Sequence, residues 1–146
     1  MRHTLVDTSV IVEYLKGTPK AVYLISELLK GDNILFINPA VFSEVVYVMM
    51  GHYSGKAPKT IKGKSEKLPK ELDIVFRVLP YYAFAEITRQ TIEIAVNLIR
   101  KYAMLPNDAL ILATCIEHGF ALATLDEDFF EPAESERVQA GNGVIP

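Results

Sequence analysis

Cysteine occurs once in the 146 residues and tryptophan not at all. A lone thiol closes no intramolecular disulfide and builds no four-cysteine zinc site, which removes the disulfide scaffolds and zinc ribbons. Cys115, set in an apolar run, reads as a small core residue. Histidine is also scarce: His3, His52 and His118 are scattered, none pairs at metal-ligand spacing, and each is expected at the surface. No apolar run approaches the ~20 residues of a membrane span. The start, Met1-Arg2-His3-Thr4-Leu5-Val6-Asp7, becomes charged too early for a secretory signal. A cytoplasmic protein without a membrane role is expected. A strong excess of one charge is missing too, since the formal net charge is −3. That argues against a nucleic-acid binder working by whole-molecule charge.

What is present suits one domain over residues 1–146. Half of the residues are hydrophobic and 23% are charged, ordinary for a globular chain. A chain of this size buries roughly 70% of its unfolded surface and needs no staples. The charge is uneven, however. Lys56, Lys59, Lys62, Lys64, Lys67 and Lys70 cluster against Glu66 alone, with Gly55, Pro58, Gly63 and Pro69 as breakers. This reads as a lysine-rich insertion or arm around residues 51–70. It is either a solvated loop or a surface that meets phosphates.

Around it, short apolar runs alternate with helical periodicity. Leu5 and Val6 predict a strand ending at Asp7. Ile11, Tyr14 and Leu15 fit a helix closed at Gly17, and Thr18-Pro19 opens another with Val22, Ile25, Leu28 and Leu29 on its apolar face. Asn33 to Ile37 reads as a buried strand. Asn38-Pro39 then opens a helix expected to close at Gly51, with Glu44 the only charge in its apolar body. Leu72, Val75, Phe76 and Leu79 predict a short helix running into a third strand near Arg77-Val78-Leu79. Glu86 to Tyr102 is amphipathic, with Ile87, Ile94, Leu98 and Ile99 on its apolar face. Asn107 is expected to cap a buried helix through Cys115 that Asp108 opens. Ala121 to Thr124 reads as a fourth strand, followed by a turn over Leu125 to Phe129, and Arg137-Val138-Gln139 as a last edge strand. The alternation predicts an α/β fold: a parallel sheet of about five strands, covered by helices on both faces.

In such a sheet, sites form beyond the carboxyl ends of the strands. Asp7 and Asp126 belong to that edge. Glu44 reaches it from the helix leaving the second strand, and Asp108 from a helix that starts there and runs back against the strands. Each acid has a plainer reading: Asp7 and Asp108 as helix-end residues, Glu44 as a surface charge, Asp126 as a turn residue. Asp128 is a nearby solvent or supporting residue. Gathered in one crevice, four carboxylates repel one another unless a cation is present. Oxygen ligands without Cys or His point to Mg²⁺ or Mn²⁺, and such ions serve phosphodiester hydrolysis.

Other chemistries fail on the residues. Gly63-Lys64-Ser65 lacks the earlier glycine of a phosphate-binding loop, because Pro58 stands there. Ser9 replaces the second acid of a phosphatase Asp-x-Asp. A phospho-acceptor receiver domain wants an acid at the third strand, and Leu79-Pro80 offers none.

Four stretches taken in order are similar to the PIN-domain ribonucleases, and most to the VapC-type toxins of toxin–antitoxin pairs. They are Leu5-Val6-Asp7-Thr8-Ser9, Ser43-Glu44, Asp108-Ala109-Leu110-Ile111-Leu112-Ala113-Thr114 and Thr124-Leu125-Asp126-Glu127-Asp128-Phe129. The resemblance implies a three-layer α/β/α fold and metal-dependent cleavage of RNA. Asp7, Glu44, Asp108 and Asp126 would hold Mg²⁺ or Mn²⁺, helped by Thr8 or Ser9, Thr124 and Asn107. It further implies a homodimer and a small antitoxin protein whose C-terminal tail lies in the active-site groove. The lysine-rich stretch departs from a minimal toxin and is an RNA-contacting arm, a dimer element or an antitoxin contact. An RNA-processing nuclease without antitoxin and a non-catalytic binding module are the alternatives.

Overall fold

Leu5 and Val6 are fully buried at the end of the first strand, β1 (Arg2–Val6). In the computed structural model, which describes residues 1–141, three more strands extend the sheet in parallel: β2 (Asn33–Ile37), β3 (Ala83–Phe84) and β4 (Ala121–Ala123). Their spatial order is β3-β2-β1-β4. Leu5 pairs with Phe36 on one side and Leu122 on the other. Seven helices flank the sheet: α1 (Thr8–Leu15), α2 (Pro19–Lys30), α3 (Pro39–Ser54), α4 (Leu72–Val78), α5 (Arg89–Tyr102), α6 (Pro106–His118) and α7 (Phe130–Ser135). The α/β class and parallel pairing are as expected. None of these helices is long and apolar enough to cross a membrane.

The strand order positions the site. The chain steps from β1 to β2 to β3 in one direction, then returns to lay β4 on the far side of β1. Connections that diverge from neighbouring strands leave a crevice at the carboxyl edge. The N–H of Asp7 donates to the carbonyl of Ala123 at 2.9 Å, so the ends of β1 and β4 are tied together under that crevice.

Several boundaries differ from expectation. α3 continues through Gly51 to Ser54 and ends at Gly55, whose φ is 69°. A mid-helix glycine costs roughly 1 kcal/mol, and packing of Met50 and Tyr53 against the core offsets it. The third strand is Ala83–Phe84 rather than 77–79, because Leu72, Val75 and Leu79 bury as one helical face and Pro80 forces a turn. On α2 the buried face is Ala21, Leu24, Ile25 and Leu28, while Val22 and Leu29 are exposed. α5 begins at Arg89 behind a Thr88 capping box, and buries Thr91 and Ala95 beside Leu98.

The fifth strand is reduced to one bridge. Leu122 pairs with Ala140, its N–H donating to the Gln139 carbonyl at 2.8 Å. Arg137, at φ 62°, turns the chain just ahead of this bridge. The sheet therefore has four strands among the described residues, one fewer than expected.

The lysine-rich stretch forms two 3-10 turns, Pro58–Ile61 and Ser65–Lys67, and Ile61 is buried. All six lysines are exposed, and none forms an ion pair among the described residues. The histidines are exposed as expected; His3 and His118 lie against Phe120. Cys115 is fully buried.

Candidate active site

Asp7 is 3% exposed, an uncommon place for a carboxylate. Two hydroxyls keep it there. Ser9 Oγ and Thr124 Oγ1 each donate to Asp7 Oδ2 at 2.8 Å. Those hydroxyls are in turn oriented by backbone donors: the N–H of Leu125 on Ser9 Oγ and the N–H of Asp126 on Thr124 Oγ1, both at 3.0 Å. The relay joins the start of α1 to the end of β4. Asp7 occupies the N-cap position of α1, yet its side chain makes no capping bond there. Capping therefore does not account for it.

Glu44, on the second turn of α3, accepts from Thr8 Oγ1 at 3.1 Å. Asp126 caps the 3-10 turn Glu127–Phe129, accepting from the N–H of Asp128 at 3.0 Å. Asp108 is half-buried on the first turn of α6. All four line one cavity of about 260 Å³, together with Thr8, Ser9, Val12 and Val48. A larger cavity of about 730 Å³ lies at the amino end of β2, but tyrosines are its only ionisable groups. The acidic crevice is the candidate site.

The expected cap of α6 is wrong in detail. Pro106 is itself the first helical residue, because its fixed φ suits that position and its missing N–H costs nothing there. The cap position falls to Leu105, which has no side chain able to cap. Asn107 is therefore not a cap; it is exposed on the first turn, close enough to Glu44 to lower its carboxyl. Asp128 is exposed just beyond Asp126 and adds repulsion at Asp108.

No lysine, arginine or histidine lines the acidic cavity. The electrostatic result is uniform in sign. Burial raises the Asp7 carboxyl above its ordinary value, and the hydrogen bonds from Ser9 and Thr124 oppose this. Burial, then the charges of Asp7 and Asp126, raise Glu44, with the Thr8 hydroxyl pulling the other way. Asp108 is pushed up to about 6, first by burial and then by Asp7, Glu44, Asp126 and Asp128. A carboxylate set with no positive partner is the donor set of a hard cation. As placed, no three acidic, histidine or cysteine side chains among the described residues close on a single metal position. The acids form an open fan around the crevice.

One residue outside the expected set helps to fix the geometry. Asn38 is fully buried at the start of α3. Its Oδ1 accepts from the N–H of Val41 at 3.0 Å, and its Nδ2 donates to Thr114 Oγ1 at 3.0 Å and to the Leu110 carbonyl at 3.3 Å. This ties the helix carrying Glu44 to the helix carrying Asp108. The Asn-Pro dipeptide announced only the cap; the donor half of the amide has no local signature. The six lysines lie outside the acidic cavity, on the segment that follows α3.

Comparison with known proteins gives the family. The PIN domain family model matches residues 4–135. Ribonuclease VapC2 of Methanocaldococcus jannaschii is 32% identical over 125 residues, covering 84% of each chain. Ribonuclease VapC6 of the same organism is 30% identical over 139 residues, 87% of this chain and 90% of the relative. Among solved structures, VapBC2 from Rickettsia felis bound to a DNA fragment from its promoter superposes with a TM-score of 0.64 at 19% identity, covering 94% of this chain and 96% of that one. At that identity it speaks for the fold alone. With strand order, acidic crevice and sequence in agreement, the chain belongs to the PIN-domain family, with VapC ribonucleases among its relatives.

Proposed function

We propose that this protein is an endoribonuclease that hydrolyses RNA phosphodiester bonds, acting as the toxin of a toxin–antitoxin pair, with Asp7, Glu44, Asp108 and Asp126 holding Mg²⁺ or Mn²⁺. The observation that carries the reading is the convergence of four carboxylates, from four separate segments, in a cavity without a cationic side chain. The ribonuclease relatives support it. An open fan of acids suits Mg²⁺, which takes one or two carboxylates and fills its other positions with water and phosphate oxygens. Bound there, such an ion supplies charge for the scissile phosphate and makes water acidic enough to attack.

The chain's own residues do the rest. Ser9 and Thr124 fix the direction of Asp7, Thr8 steadies Glu44, and Asn107 flanks Glu44 from the first turn of α6. Below about pH 6 the Asp108 carboxyl holds a proton that loading has to displace, so metal affinity falls in acid. The six exposed lysines are the RNA contacts of the arm. A homodimer, a small antitoxin partner and a cytoplasmic location complete the reading; a toxin–antitoxin complex from Klebsiella pneumoniae contains a chain of this fold.

The direct test is cleavage of a panel of RNAs by purified protein. Cleavage should require Mg²⁺ or Mn²⁺ and stop in EDTA; undiminished cleavage in EDTA sinks the metal reading, and no cleavage of any RNA with either metal sinks the nuclease reading. Changing the lysines at 56, 59, 62, 64, 67 and 70 to Gln should weaken RNA affinity and flatten its salt dependence by about 0.7 per lost phosphate contact. An unaltered slope makes the stretch a structural connection only.

A further inference from the structure

Asp108 lines a second cavity as well as the acidic one. It measures about 570 Å³ and lies between the end of α5, the start of α6 and α7. Asp108, Asp128 and Glu131 are its acidic lining residues, and Arg100 and Lys101 line it from α5. Met104, Leu105, Phe129 and Pro132 supply apolar lining. The cavity is thus acidic where it adjoins the candidate metal site and carries cationic groups from another element.

The two cations are not equivalent. Lys101 Nζ is held by Glu136 at 2.9 Å, so its charge is already matched. Arg100 is exposed on the last turn of α5 and has neither an ion pair nor a hydrogen bond among the described residues. Its guanidinium is a free fork of donors, the group best suited to a phosphate. Between α5 and α6 the chain turns through Ala103, whose φ of 54° is rare for a residue with a side chain. That turn leads to Leu105, an apolar side chain 71% exposed at the head of α6. An exposed leucine, an apolar lining and an unmatched guanidinium beside a phosphodiester-cleaving site are complementary to one nucleotide: sugar and base on the apolar side, phosphate on the arginine.

We propose that this cavity is the subsite for the RNA nucleotide next to the scissile phosphate, with Arg100 as its phosphate contact. The assignment rests on the ribonuclease reading for its substrate class. It makes Asp108 the ridge between the two halves of the substrate site, facing the scissile phosphate on one side and its neighbour on the other. It also explains how a polyanion approaches a crevice of carboxylates: the strand is anchored one phosphate away, on a positive group.

Arg100→Ala and Arg100→Lys, compared with the unaltered protein, test the proposal in two assays. In the first, affinity for a labelled single-stranded RNA is followed by fluorescence anisotropy over a range of KCl, with Ca²⁺ in place of Mg²⁺. In the second, cleavage is followed with Mg²⁺. Arg100→Ala should weaken binding about tenfold, the scale of one charge-assisted hydrogen-bonded contact. It should lower the salt slope by about 0.7. KM should rise with kcat little changed, as for contacts made equally in ground and transition states. Arg100→Lys should keep the salt slope. Arg100 is exposed, so neither change threatens folding. If RNA is cleaved but Arg100→Ala leaves affinity and slope unaltered, the subsite is wrong and the nuclease reading stands. If the slope falls by the expected amount and no RNA is cleaved, Arg100 stands as an RNA phosphate contact, but the nuclease reading fails and with it the place of the subsite beside a scissile bond. No RNA binding at all overturns both.

Discussion

Replacing Asp108 with asparagine is expected to have two opposite effects: metal-dependent cleavage collapses while the metal-free protein becomes more stable. The loss should be about 10²–10³ in rate, the scale on which one electrostatic stabiliser of a transition state is missed. The gain follows from the raised carboxyl. In the folded protein Asp108 ionises near 6, against an ordinary 3.8, so the folded state holds the proton more tightly than the unfolded chain does. Below about pH 4 both states are protonated and nothing is lost. Between about 4 and 6 the unfolded chain ionises first and stability drains away, and above about 6 the full cost is present. The carboxyl is half-exposed, and solvent screening limits that cost to about 1–2 kcal/mol. Asparagine carries no charge and escapes it. The variant's melting temperature at pH 7.5 should therefore exceed that of the metal-free parent by about 3–6 °C, and the gap should close at pH 4. Mg²⁺ should raise the parent's melting temperature more than the variant's. A variant that cleaves normally, or that is no more stable at pH 7.5, would contradict the account of the site.

Asn38→Ala is expected to be the most damaging single change near the site, although Asn38 touches none of the four acids. It removes the cap of α3, worth about 1 kcal/mol. It also deletes two buried hydrogen bonds to α6, on the Leu110 carbonyl and the Thr114 hydroxyl, which stay paired with each other, at roughly 0.5–1.5 kcal/mol each. Together these should lower stability by about 2–4 kcal/mol. Because the same amide sets α3 against α6, the spacing of Glu44 and Asp108 should loosen, and metal affinity should fall about 10- to 100-fold, as when supporting partners of metal ligands are lost. Thr114→Val removes only one of the two contacts and should cost less. In a double-mutant cycle the two changes should couple by about 0.5–3 kcal/mol, since they share a bond. Additive effects, or unaltered metal affinity in an Asn38→Ala protein that remains folded under the assay conditions, would reduce Asn38 to a simple cap.

The residues that were easy to read are those whose role is decided within a few positions. β2 was legible over its full length because Ile34 to Ile37 is an unbroken apolar run between Asn33 and Asn38. α2 and α3 start where Thr18-Pro19 and Asn38-Pro39 place them, because a proline in the first turn leaves the chain little choice. The sheet edge to which each acid belongs was legible for the same reason, since strand and helix ends are local features. The boundaries that were misread are those settled by distant contacts. α3 overruns Gly51 because Met50 and Tyr53 pack on the core. The third strand moves to Ala83–Phe84 because Leu72, Val75 and Leu79 are buried as a helix. The last strand is a single bridge at Ala140 among the described residues, paired with Leu122 on a distant element.

The sequence by itself determined which acids this protein possesses, that they stand at strand and helix ends, and that neither a thiol nor a histidine joins them. Only the tertiary structure decided how they are held. Ser9 and Thr124 meet on Asp7 although 115 positions separate them from each other. Asn38 reaches Thr114 across 76 positions, and Arg100 shares a cavity with Asp108. Local propensity fixes where an element begins and which way it faces. Which side chains then meet depends on the return of the chain from β3 across the sheet to β4, and that is a property of the packed core as a whole.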